Sequence, residues 1–149
     1  MRLGLASAST AALIAALPVS AQEIVASISI DPGETVTARI AGDPPGFVIL
    51  SREASPPADA GEPSPVADNV VRFVFNSEGE HAILRVDSGY DRTFHYRAVM
   101  VRGERSMPTS ICTVVPRLPG FETWPHYIDR LELSNPRFVE VPAGMISCQ

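Results

Sequence analysis

From Glu23 to Ile30 apolar and polar residues alternate, with Ile24, Ala26, Ile28 and Ile30 on one side and Glu23, Val25, Ser27 and Ser29 on the other. A period of two marks a strand with one buried face. The alternation resumes over Thr35–Ile40, where Val36, Ala38 and Ile40 form the inward row. Between them Asp31-Pro32-Gly33-Glu34 reads as a tight turn, because Pro presets φ and Gly accepts a positive one. The two segments are expected to pair as a hairpin. Ala41–Gly46 contains Gly-Asp-Pro-Pro-Gly and is expected to loop. Phe47–Leu50 is continuously apolar, as in a buried strand.

Residues 52–68 hold Pro56, Pro57, Pro63 and Pro65 among small and acidic side chains, which predicts a long exposed loop. Strand character returns at Asn69–Asn76 and Ala82–Val86, around a turn at Ser77–Glu80. A second turn, Asp87–Asp91, leads into the longest run, Arg92–Arg102. There Phe94, Tyr96, Ala98 and Met100 oppose Thr93, His95, Arg97 and Val99. Gly103–Pro108 reads as a loop and Thr109–Val115 as a strand. Residues 116–125 read as irregular, and Ile128–Leu133 and Arg137–Val141 as two further strands. No helical period interrupts this succession. The pattern predicts an all-β fold, a small antiparallel β-sandwich about the size of an immunoglobulin domain. A small closed β-barrel is the alternative.

The N-terminal segment breaks the pattern. Arg2 precedes an Ala/Leu/Ile-rich stretch from Leu3 to Leu17, and Val19-Ser20-Ala21 places small residues where a signal peptidase cleaves. Residues 1–21 are therefore expected to be a secretory signal peptide, leaving 22–149 as a single domain that begins at Gln22. The stretch is too short and too interrupted by Ser and Thr for a spanning anchor. Lipid attachment at the cleavage point would need a Cys there, and the first is Cys112. Export across the inner membrane places the chain in the periplasm or outside the cell. In that setting Cys112 and Cys148 are expected to form a disulfide, with a free thiol or an intermolecular bond as the alternative.

Charge and composition narrow the chemistry. The formal net charge is −5, which argues against nucleic acid and anionic membrane surfaces as partners. Every basic side chain is Arg, so Schiff-base, Ser–Lys and P-loop lysine chemistry are excluded. His81, His95 and His126 have no metal-ligand spacing, and each reads as a surface histidine. No Gly-x-Ser-x-Gly is present. No catalytic, metal or cofactor residue is assigned, and the chain is not expected to be an enzyme. Arg92, Arg97, Arg102 and Arg105 cluster about one strand as a partly cationic strip, suited to a carboxylated glycan or an acidic partner.

The most distinctive stretch, Pro119 to Arg130, gathers Phe121, Glu122, Trp124, His126 and Tyr127. Those five residues form a candidate recognition loop. The competing structural role is a plug at the end of the sandwich, made by Phe121, Trp124 and Ile128 and held by Glu122 bonded to backbone donors or to an Arg. The expected function is a non-catalytic binding or scaffolding module of the cell envelope, its partner an envelope protein or a cell-wall component. One alternative is an inhibitor of an exported enzyme that inserts Pro116–Pro125. The other is a small hydrolase or metal-dependent enzyme using His95 or His126 with Glu122.

Overall fold

The computed structural model describes residues 22–54, 65–142 and 145–149. The proposed signal peptide, residues 1–21, lies outside them, as do residues 55–64 of the Pro-rich stretch. The strands are β1 (Ile24–Val25), β2 (Ser27–Ile30), β3 (Glu34–Gly42), β4 (Pro45–Ala54) and β5 (Val71–Glu78), followed by β6 (His81–Ser88), β7 (Phe94–Arg102), β8 (Arg105–Thr109), β9 (Pro119–Trp124) and β10 (Arg130–Phe138). They form two antiparallel sheets, one in the order β1-β4-β3-β5-β6-β9 and the other β2-β10-β7-β8. Neither sheet closes into a barrel, and the all-β sandwich is what forms. Among the described residues no helix is long and apolar enough to cross a membrane.

The inward rows account for the core. Val36, Ala38, Phe47, Phe73, Phe75 and Leu84 of the larger sheet face Ile28, Ile30, Phe94, Tyr96, Leu131 and Leu133 of the smaller one, all buried. Phe73 meets Phe47 edge-on at 5.9 Å and Tyr96, across the core, at 5.5 Å. Such geometry sets the negative ring face against the positive edge.

The structure departs from the sequence reading where tertiary contacts outweigh local signals. Glu23–Ile30 is not one strand, and it does not form a hairpin with Thr35–Ile40. It breaks at Ala26, so that β1 pairs with β4 and β2 pairs with β10. The Gly33 N–H donates to the Phe75 carbonyl at 2.9 Å. That bond ties the turn to the larger sheet and sends the chain across the sandwich. Ala41–Gly46 is no open loop either, since β3 and β4 pair as far as Gly42↔Pro45. Its prolines sit at the tip and at the first residue of β4, where no ladder donor is needed. A Cβ at Gly46 would lie 2.6 Å from the Val25 carbonyl oxygen, so glycine is what admits β1 against β4.

Arg52–Ala54, assigned to the loop, extend β4 opposite Glu34–Val36. Arg52 Nη1 anchors them, donating to Glu34 Oε2 at 2.7 Å and to the Ser29 carbonyl at 2.8 Å. Asp87 and Ser88 belong to β6 rather than to a turn. Asp87 is buried there because its Oδ2 accepts from Arg72 Nε and Nη2 and from Arg85 Nε, at 3.1, 2.9 and 3.2 Å; a carboxylate tolerates burial only with such partners. The loop expected at Gly103–Pro108 contains β8, whose Pro108 is accommodated by its place at a sheet edge. Most of Thr109–Val115 is not strand but carries two isolated bridges, Phe94↔Val114 and Cys112↔Cys148. The two C-terminal segments largely merge into β10, with a register shift between Ser134 and Arg137.

The core predicts its own sensitivity. Phe73→Ala should cost about 3–5 kcal/mol, through lost burial and the cavity left behind. Ile83→Ala, on the exposed face of β6, should cost less than about 1 kcal/mol. Urea denaturation of both variants measures the difference.

Candidate functional site: the β9 edge

Residues 119–124, expected to be irregular, form the terminal strand of the larger sheet, paired with β6 from Asp87↔Pro119 to Ala82↔Trp124. The breakers that suggested a loop are compatible with it. Pro119 is the first residue of an edge strand and Pro125 follows its last. The register places Gly120, Glu122 and Trp124 opposite the inward residues Val86, Leu84 and Ala82. Phe121 lies opposite Arg85 and faces outward, 54% exposed.

This alternation divides the candidate recognition residues. Trp124 is only 8% exposed, and its Nε1–H donates to Thr109 Oγ1 at 2.8 Å. Together with fully buried Ile128 it closes the end of the core. Phe121 takes no part in that plug. Tyr127 is exposed, and His126 is half-buried with its Nε2 enclosed and lacking a partner among the described residues.

Glu122 points inward, and its Oε1 accepts the Cys112 N–H at 2.6 Å. That donor is free for a geometric reason. Ile111 and Gln149 exchange both backbone bonds, and Thr113 donates to Ser147. Cys112 and Cys148 are thus a non-hydrogen-bonded pair, whose side chains approach closely while their amides point away. The disulfide forms across this pair. Burial pushes the Glu122 pKa up, and the Cys112 amide opposes the shift.

The histidines do not converge on this carboxylate. His81 is exposed at the start of β6. His95, expected on an exposed face, is instead buried, with Arg137 directly opposite it and Ile111 lining the same hollow. Among the described residues no ion pair joins a histidine to a carboxylate, and no group of three His, Cys, Asp or Glu could hold a metal ion. No protein-family model, curated protein or solved structure matches the chain. The site is therefore read from its own chemistry.

That chemistry is apolar with one half-buried acid. A groove of about 270 Å³ runs between Gly120–Glu122 and Cys112–Val115, with Phe121 and Ile146 at its walls. Tyr96 reaches it from the opposite sheet, and its buried hydroxyl has no partner among the described residues. Ile146, 63% exposed, adds to the apolar surface around Phe121, and Leu118, 58% exposed, lines a separate hollow with Arg117 and Pro119 just before β9. Sequence reasoning missed Leu118, Tyr96 and Ile146. The available signal was the cysteine pairing itself, which carries Ile146, two residues before Cys148, up to the same edge.

The direction of the Glu122 shift gives a sign. A carboxyl whose folded pKa is raised contributes stability below its unfolded pKa and loses it as pH rises through the folded value. Glu122→Gln keeps an acceptor for Cys112 and removes the titration. As pH rises from about 4 to about 7, its urea midpoint should therefore increase relative to the native protein. A constant difference across that range would show that Glu122 does not titrate in this way.

Proposed function

We propose that the chain is an exported, non-catalytic module of the cell envelope that holds an extended segment of a protein partner against β9. The observation that carries this reading is the coincidence of a sheet edge with exposed apolar side chains. β9 ends its sheet, Phe121 and Ile146 wall the groove beside it, and exposed Leu118 stands one residue before the strand. An edge strand offers unpaired N–H and C=O groups to an added strand, while flanking apolar surface supplies affinity and side-chain selectivity. The other edges are less suited. β1 has two residues, β2 four, and β8 is interrupted by Pro108. The half-buried Glu122 adds a preference for a donor or a cationic group at the groove.

A soluble peptide alternating Val and Thr between terminal Arg residues tests the edge. Titrated into isotopically labelled protein, it should give saturable amide shifts at Gly120–Trp124. Phe121→Asp, whose thermal midpoint should stay near the native one, should abolish them. Shifts confined to β2 or β8, or equal binding by the variant, would refute the reading. Export has a separate test. N-terminal sequencing of the protein from an envelope fraction should begin at Gln22, and a chain retaining Met1 in the cytoplasm would overturn it.

A further inference from the structure

The smaller sheet holds a second site, where register breaks flank one stretch of β7 on both sides. Toward β8 the ladder runs from Arg102↔Arg105 to Ala98↔Thr109 and then stops. Pairing returns only at the isolated bridge Phe94↔Val114. Three residues of β7, His95–Arg97, thus face four on the other side, Ser110–Thr113, and the chains must part. Toward β10 the register slips between Ser134 and Arg137, where Asn135 adopts a φ of 50°. Bulges of this kind bend strands and re-aim side chains.

The parted strands leave a groove of about 490 Å³. Arg137 stands directly opposite His95, and Ser134 opposite Arg97. Both arginines are exposed, and among the described residues neither makes an ion pair or a side-chain hydrogen bond. Arg52, Arg72, Arg85, Arg117 and Arg130 have carboxylate partners, whereas this pair, like Arg39, Arg92, Arg102 and Arg105, has none among the described residues. Glu132, on the same face opposite Val99, is taken by Arg130 at 3.6 Å. His95 is 6% exposed, and its Nε2 is buried with no partner. Val99, Pro108 and Ile111 supply apolar lining.

We propose that this groove binds a small organic carboxylate, its oxygens held between Arg97 and Arg137 beside the His95 imidazole and its apolar body along Val99, Pro108 and Ile111. Two unpaired guanidiniums supply charge-assisted donors for a carboxylate. The volume suits a small molecule rather than a bare ion. A proton is linked to binding. Burial, then Arg137 and Arg97, hold the His95 pKa below its ordinary value, while the Ile111 main chain works the other way. Gln149 also lines the groove, and its main-chain oxygen accepts the Ile111 N–H. A bound carboxylate offsets the two arginines and accepts from protonated Nε2, so it raises the His95 pKa and binds more tightly as pH falls.

Benzoate is the probe, with benzyl alcohol as its neutral counterpart and inorganic phosphate as an anion without an apolar body. Followed by NMR, benzoate should saturate with shifts confined to His95, Arg97, Ser134 and Arg137, and should move the His95 titration upward. Arg97→Gln and Arg137→Gln should each weaken it by about tenfold or more, with an otherwise native spectrum. Phe121→Asp should leave it unchanged, which separates this site from the β9 edge. Equal binding of benzyl alcohol would overturn the anion site, and equal binding of phosphate would overturn the role of the apolar wall. Full affinity in both arginine variants, or shifts outside the groove, would overturn the proposal entirely.

Discussion

Phe73 bridges the two sheets, edge-on to Phe47 in its own sheet and to Tyr96 in the other, and much of the molecule follows from that contact. The chain of rings continues from Tyr96 to Phe94, on to Tyr90 and then to Phe138. A row of interlocked rings fixes how far apart the sheets stand and which face of β7 looks inward. Once Tyr96 is committed to the core, alternation turns His95 and Arg97 outward. The Tyr96 hydroxyl is meanwhile carried to the underside of the β9 groove. Both proposed sites thus depend on one core side chain.

The disulfide organises the opposite end by a different means. It joins residues 111–113 to residues 147–149 as a short ribbon. On one side that ribbon presents the Cys112 amide to Glu122; on the other it places Ile111 and Gln149 against the His95 groove. In the chain-entropy description, closing this loop stabilises the fold by up to about 4 kcal/mol. Its local effect is as important, because it gives an irregular connection between sheets a defined shape.

The alternation of side chains was legible because burial on one face leaves a period of two in the residues themselves. Val36, Ala38, Phe73, Phe75, Phe94, Tyr96 and Ala98 are buried as that period requires. The cysteine pairing was legible from the count of two, read with the expectation of export. Pairing partners were not, since a strand's pattern states which face is buried but not which neighbour it has. That is why β2 was assigned to β3 when it lies beside β10. Prolines misled where a sheet edge excuses the missing donor, as at Pro119 and Pro108. Trp124 was recognised as a residue with two possible roles, and its neighbours across the fold decide between them. Arg137 gave no signal at all, because only a bulged register sets it opposite His95.

β10 pairs on one side with β2, about a hundred residues earlier in the chain, and on the other with β7. The centre of the smaller sheet therefore cannot form until nearly the whole polypeptide is present. Each rung demands closure of a long loop before any contact rewards it, so the topology favours slow, all-or-none folding over stepwise growth from a local hairpin. Until then the apolar rows of β2 and β7 stay open to wrong partners. A fold arranged in this way leans on its surroundings during that interval more than its finished stability suggests.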